Sequence, residues 1–220
     1  MPLPLDYVKY YDLERYLFED VHEHFQNDHF IGAFDFFSIV VWKANRAKSW
    51  IAQRLRKHAS SDARNDIDAI VRRLTASLYD EKDTHGRLQL LLNTWGFRLP
   101  TASAILTVLW PEEFTVYDVR VCDELKRHYG DQLRSFHDLA DLPNFDDIWQ
   151  GYCEYRKAVD GAAPNGLSLR DKDRYLWARS AARQLEENIT TGLVPTRRKK
   201  PVRPTADNPN APRAAADLGR

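Results

Sequence analysis

The residues whose types and spacing could do chemistry gather between Leu88 and Val121. A helix reading through Leu88, Leu91, Leu92 and Trp95 stops at Gly96, a position just past a helix end where positive φ is cheap only for glycine. Pro100 suits the first turn of a following helix, and Ala102 is small enough to let the two helices cross closely. Such a tight hairpin would offer a phosphate the hydroxyl of Thr101 and the backbone N–H groups of a helix start, helped by the helix dipole. Ile105, Leu106 and Leu109 then read as core, and Pro111 stops the helix. The extended run Phe114 to Tyr117 puts Asp118 at the start of another helix, where the plainest role for an aspartate is to cap it.

This segment resembles the hairpin of the helix-hairpin-helix (HhH-GPD) DNA glycosylase superfamily, the group that includes endonuclease-III-like and adenine-specific mismatch enzymes. The family hairpin looks like Leu-x-x-Leu-Pro-Gly-Val-Gly-x-x-x-Ala, followed by an apolar helix and an extended turn that ends in the catalytic aspartate. Leu92, Trp95, Gly96, Phe97 and Ala102 occupy its apolar, glycine and alanine places, and Asp118 follows Gly96 by 22 residues. The likeness covers about 35 residues.

The resemblance implies a monofunctional DNA N-glycosylase acting on double-stranded DNA. It would flip a damaged or modified base and hydrolyse its N-glycosidic bond, leaving an abasic site. The setting would be base excision repair or defence against modified viral DNA. Asp118 would be the catalytic carboxylate: it stabilises the positive charge that develops on the deoxyribose and orients the attacking water. The extruded base would enter a pocket of stacking aromatics, for which Trp42, Trp95 and Tyr117 are candidates. Gly96, Arg98, Thr101, Ser103 and Arg120, with Lys43 and Arg46, are the candidate DNA contacts.

Three positions depart from the family pattern. Arg98 stands where a second hairpin glycine is usual. Pro100 stands where bifunctional members carry a Schiff-base lysine, so no lyase step is expected. The cysteines of the family's iron–sulfur cluster are missing, so no cofactor is expected beyond the monovalent cation that such hairpins coordinate through backbone carbonyls.

Outside this segment the readings divide. Trp42, Lys43 and Arg46 follow an apolar run; Lys43 and Arg46 share a helical face. They form either a basic contact beside a stacking ring or a core tryptophan next to a solvated face. Arg120 could reach a phosphate or pair with a carboxylate. His22 and His24 are two residues apart on a helix and point away from each other, so they cannot chelate one ion, and they read as part of a solvated face. Arg170, Asp171, Asp173 and Arg174 read as surface ion pairs, with Leu169, Leu176 and Trp177 turned inward. The sequence has no phosphate loop, Gly-x-Ser-x-Gly elbow or dinucleotide fingerprint.

The elements that must position these residues read as helices. Apolar residues recur at three- and four-residue intervals, and no sustained alternation suggests a sheet. The expected fold is all-α, with about eight helices. They include one through Tyr7–Val21, a single one through Phe34–Leu55, and others near Ile67–Leu78, Val119–Tyr129, Asp146–Val159 and Leu169–Asn188.

Residues 1–192 are expected to form one domain. Residues 193–220, with five prolines and seven basic residues against two acids, are expected to be a disordered tail. Over all 220 residues, 32 basic and 32 acidic side chains cancel, so the body is acidic when the tail is basic. No apolar run approaches the roughly 18 residues of a membrane span, and no secretory leader is evident at the start. Cys122 and Cys153 read as reduced thiols. A monomeric, cytoplasmic, nucleoid-associated protein is the expectation. Two other classes stay open: a non-catalytic hairpin module that binds DNA or a protein, and a helical interaction protein with no nucleic-acid role.

Overall fold

The most apolar helix of the chain becomes the one around which its neighbours pack. In the computed structural model, which describes residues 4–58 and 66–192, α7 (Leu99–Leu109) is buried at every residue from Ala102 to Leu109. Its small residues allow this. Ala102 and Ala104 admit close neighbours, and the Thr107 hydroxyl donates to its own helix at the Ser103 carbonyl, 2.7 Å away. Against α7 lie α3 (Ala33–Ala44) and α2 (His22–Asp28). From α2, Gln26 Nε2 and His22 Nδ1 donate to the carbonyls of Leu109 and Val108, at 2.9 and 3.1 Å. These are carbonyls that a helix end leaves without partners. His22 is thus a cap on a neighbouring helix, not part of a solvated face.

Among the described residues the chain is all-α, without strands. α1 (Leu13–Tyr16) runs into α2 through a π-helical turn at Leu17–Val21. It starts at Asp12, whose side chain accepts the Arg15 N–H. α5 (Ile67–Asp80) buries Ile70, Val71, Leu74 and Leu78, the stripe its spacing predicts, and Asp66 caps it. α6 (Thr84–Gln89) continues through a π-helical turn at Leu90–Thr94 to the hairpin. α8 (Val119–Tyr129), α9 (Phe145–Ala162) and α10 (Leu169–Thr190) complete the order.

The single helix expected over 34–55 is two. α3 ends at Ala44, three residues of 3₁₀ helix follow at Asn45–Ala47, and α4 (Lys48–Lys57) restarts the chain. Asn45 sits at the break, its side-chain oxygen accepting from Lys48 Nζ at 2.8 Å. A short polar side chain that bonds locally competes with helix continuation.

The chain divides into two units, residues 1–184 and 185–220. The second is described only to Gly192, as the end of α10 and a turn with Leu185 and Ile189 exposed. The expected tail, 193–220, lies outside the described residues.

One segment sets a demanding condition. Phe114, Thr115, Val116 and Tyr117 are extended and buried. An extended backbone with no neighbouring strand must find hydrogen bonds elsewhere, and side-chain hydroxyls supply them. Tyr152 Oη accepts the Thr115 N–H at 3.1 Å and donates to the Thr115 carbonyl at 2.7 Å. Tyr155 Oη donates to the Val116 carbonyl at 2.9 Å. Ser103 Oγ, on α7, accepts the Tyr117 N–H at 2.9 Å. Replacing Tyr152 by Phe would leave a buried N–H and C=O without partners. The expected cost is about 2 kcal/mol, read as a lowered midpoint in urea denaturation with the slope unchanged. A Tyr152→Phe midpoint equal to the native one would contradict this role.

Candidate functional site

The buried segment 114–117, a strap between α7 and α8, delivers Asp118 to the N-cap of α8. Its Oδ1 accepts the Arg120 N–H at 3.0 Å, the expected capping bond. Its Oδ2 does something else: it accepts from Lys43 Nζ at 2.6 Å, and the same ammonium reaches the Tyr117 carbonyl at 3.1 Å. The Lys43 side chain is inward for a reason of spacing. Phe36, Ile39 and Val40 are the buried face of α3, and position 43 continues that face into the helix's last turn. Lys43 and Arg46, which the sequence puts on one face, are separated by the break after Ala44: Lys43 pairs with Asp118 and Arg46 is exposed.

Asp118 is 22% exposed, and it borders two cavities that share Lys43, Asp118 and Val119. The first, about 640 Å³, includes Trp42, Arg120, Arg170, Asp173 and Trp177 in its lining. The second, about 440 Å³, opens on the hairpin side, with Arg98, Pro100, Thr101, Tyr117 and His137 around it. The hairpin itself has the expected geometry. Gly96 takes φ +65°, the Phe97 N–H closes the turn on the Leu91 carbonyl at 2.9 Å, and Pro100 sits in the first turn of α7.

The proposed site residues fare differently. Trp42 lines the larger cavity, with Phe18 against its ring edge-on and the Arg170 guanidinium over it at 5.1 Å. Tyr117 lines the smaller one but is almost wholly buried, its hydroxyl donating to the Phe136 carbonyl at 2.6 Å. Arg98 is exposed on the hairpin and ion-paired with Asp141. Thr101 borders the hairpin-side cavity, and the Arg120 guanidinium lies 5.5 Å over the Trp177 ring.

Two of the expected contacts are corrected. Trp95 is only 5% exposed and lines neither cavity; it is packed under the Arg73 guanidinium and beside the His58 ring. Ser103 is fully buried, and its hydroxyl is committed to the Tyr117 N–H, so it holds the strap and does not face a phosphate.

The sequence reading missed the floor of the larger cavity. Asp173, taken for a surface ion-pair member, is 3% exposed. Arg170 pairs with it and with Glu14 Oε1, the latter at 2.7 Å. Trp177, taken to be inward, is 46% exposed at the cavity wall. The signal was present: positions 170, 173, 174, 177 and 178 recur at helical spacing, so one stripe of α10, with Arg170, Asp173 and Arg174 among it, faces one place. Two further ties hold α10: Arg179 and Arg183 both donate to the buried Glu124 of α8, and Lys172 pairs with Asp160 of α9 at 2.6 Å.

Burial pushes the Asp173 carboxyl up to about 6, and the Asp118 charge pushes the same way. Arg170, Lys43 and the Val116 N–H pull against that rise without cancelling it. Perturbed carboxyls in clefts are a mark of functional sites, though structural ion pairs produce them too. Cys122 is buried beside the site with its thiol pushed up to about 12, mainly by burial, which leaves no thiolate nucleophile at neutral pH. Among the described residues no cluster of His, Cys, Asp and Glu could hold a metal ion, and no helix is long and apolar enough to cross a membrane.

Asp173 gives the pH dependence a sign. The folded protein holds this proton more tightly than an unfolded chain, whose aspartate titrates near 3.8. Between about pH 4 and about pH 6 the folded state therefore binds more protons, and stability from this group falls as pH rises. Above about pH 6 the loss is complete, on the order of 3 kcal/mol for a shift of about two units. Thermal melts should show the native protein losing stability relative to Asp173→Asn across that window, with a constant difference above it. A difference that does not change between pH 4 and pH 7 would refute the assignment.

Compared with protein-family models, with curated proteins and with solved structures, the chain finds no match.

Proposed function

We propose that this chain is a monofunctional DNA N-glycosylase and that Asp118 is its catalytic carboxylate. The observation that carries the reading is the position of Asp118 between two cavities, one against the hairpin and one walled by Trp42 and Trp177. In this reading the duplex docks its phosphates along Gly96, Arg98 and Thr101. The nucleotide is extruded past Val119, and its sugar rests where the two cavities share their lining. The larger cavity then receives the base; its volume is within the roughly 300–1,000 Å³ usual for ligand pockets.

The division of labour between the two oxygens supports the mechanism. Oδ1 is fixed by the cap, so the carboxylate's direction is set before substrate arrives. Oδ2 is left by the cap and pairs with Lys43, in a side chain that borders both cavities. As the glycosidic bond breaks, positive charge spreads over C1′ and the ring oxygen of the deoxyribose. A carboxylate held next to it stabilises that charge and orients the water that completes hydrolysis. With proline at position 100 no amine enters from the hairpin, and the Lys43 amine is engaged by Asp118 and the Tyr117 carbonyl, so in this reading the product is an intact abasic site.

A second reading rests on the same ion pair. Lys43 and the cap together occupy both oxygens of Asp118, as a purely structural aspartate would be occupied. In that case the hairpin binds DNA without cutting any bond.

Duplexes carrying single altered or mismatched bases, treated with the protein and then with alkali, distinguish the two. The expected result is alkali-dependent cleavage at one class of base, with a fall of about 100-fold or more in Asp118→Asn, the scale for removing one charge-stabilising group. DNA binding in Asp118→Asn should be retained. Binding without base release across the panel, or base release at the native rate in Asp118→Asn, would overturn the catalytic reading.

A further inference from the structure

The basic end of the α3–α4 region is not used by the site. Between Asp35 and Asp62 the sequence contains no acid, while Arg46, Lys48, Arg54, Arg56 and Lys57 follow one another after Lys43. Among the described residues none of these five makes an ion pair with a carboxylate, and all but Arg54 are exposed. In their midst Trp50 is 74% exposed, an unusual place for the largest apolar side chain.

The helix geometry makes a surface of them. Ile51 and Leu55 are the buried side of α4, so the rest of its circumference is outward. Trp50, Arg54 and Lys57 are spaced by four and three residues and share one outward face. That face adjoins the hairpin: a Cβ built on Gly96 would stand 3.9 Å from Arg54 Cδ and 4.0 Å from its Nη1. Among the described residues a row of cations without carboxylate partners therefore continues from α4 to the hairpin turn.

We infer that α4 is a docking surface for double-stranded DNA, with its cations on the phosphates and Trp50 stacked on a base exposed where the duplex is mispaired. The charge complementarity is direct, because a phosphate backbone neutralises clustered Lys and Arg with release of counterions. The tryptophan selects among polyanions. A helix that lies in a membrane interface shows a continuous apolar stripe to the lipid, whereas the larger apolar residues of α4, Ile51 and Leu55, are turned into the core. One flat ring among cations fits one base face. The identity of the polymer as DNA rests on the glycosylase reading; the surface and the role of Trp50 rest on α4 itself.

The test measures binding, not base release. A labelled duplex with one mismatched pair flanked by 2-aminopurine is titrated with the full chain, native and Asp118→Asn, by anisotropy and by 2-aminopurine emission. Trp50→Ala should bind about 10-fold more weakly, the scale of one base–aromatic stack, and should lose the emission rise. Trp50→Phe should recover most of both. Replacing Arg54 and Lys57 together by Ala should lower the slope of log affinity against log salt by roughly 2. Circular dichroism establishes that each variant is folded.

Native affinity and emission in folded Trp50→Ala would overturn the inference. So would anionic phosphatidylserine vesicles that bind the chain as tightly as the duplex does, or a double cation variant with an unchanged salt slope. The two proposals fail separately. Trp50-dependent binding without base release removes only the catalysis, and base release with Trp50-independent binding removes only this docking surface.

Discussion

The site depends on a hydrogen-bonding problem. A buried, extended stretch of backbone with no neighbouring strand cannot pair with itself, and each unmet N–H or C=O would cost of order 1–3 kcal/mol. Three hydroxyls, from Ser103, Tyr152 and Tyr155, meet that demand at Thr115, Val116 and Tyr117. The consequence is mechanical. Because α7 and α9 both grip the strap, its last residue can begin α8 in only one place, and Asp118 inherits a fixed position and direction. Lys43 then meets that carboxylate because α3 is registered on α7 through Phe36, Ile39 and Val40. Positioning in this molecule comes from packing that lies entirely behind the site.

This accounts for which features were legible in the sequence. Gly96, Pro100 and the cap at Asp118 answer to local rules, where the backbone conformation and the residue that suits it are only a few positions apart, and they appear where the sequence puts them. The all-α character and the stripe of α5 were readable for the same reason.

What failed was everything that needed partners far along the chain. Ser103 resembles a helix-start hydroxyl free to meet a phosphate until the strap arrives to claim it from 14 residues away. Asp173 reads as a solvated charge until the fold buries it against Arg170, which Glu14 grips from the other end of the sequence. Trp95 and Trp177 exchange their expected places, one into the core and one to a cavity wall. A tryptophan's identity gives its size and its need for cover, but not which neighbour provides the cover.

The charge pattern around the larger cavity is costly to maintain. Arg170 is held between Glu14 and Asp173 with its Nε lacking a hydrogen-bond partner among the described residues, and Lys43 serves Asp118 near a second carboxylate. Apolar residues of equal volume in such places are often neutral or stabilising. Burial that drives a carboxyl as far as Asp173 is the visible part of that cost. The Glu124 clamp, equally buried, carries a similar cost: two arginines grip it, and the Arg183 Nε lacks a hydrogen-bond partner among the described residues.

Capping and chemistry are usually weighed as rival explanations of an aspartate at a helix start. Here they use different atoms. The cap needs one acceptor oxygen, and asparagine satisfies an N–H as well as aspartate does. What asparagine cannot supply is the negative charge beside Lys43. The carboxylate charge answers an inward ammonium 2.6 Å away, and the same side chain borders a cavity on either side. The charge of Asp118 is therefore separable from its role as a cap, because asparagine at this position removes the one and keeps the other.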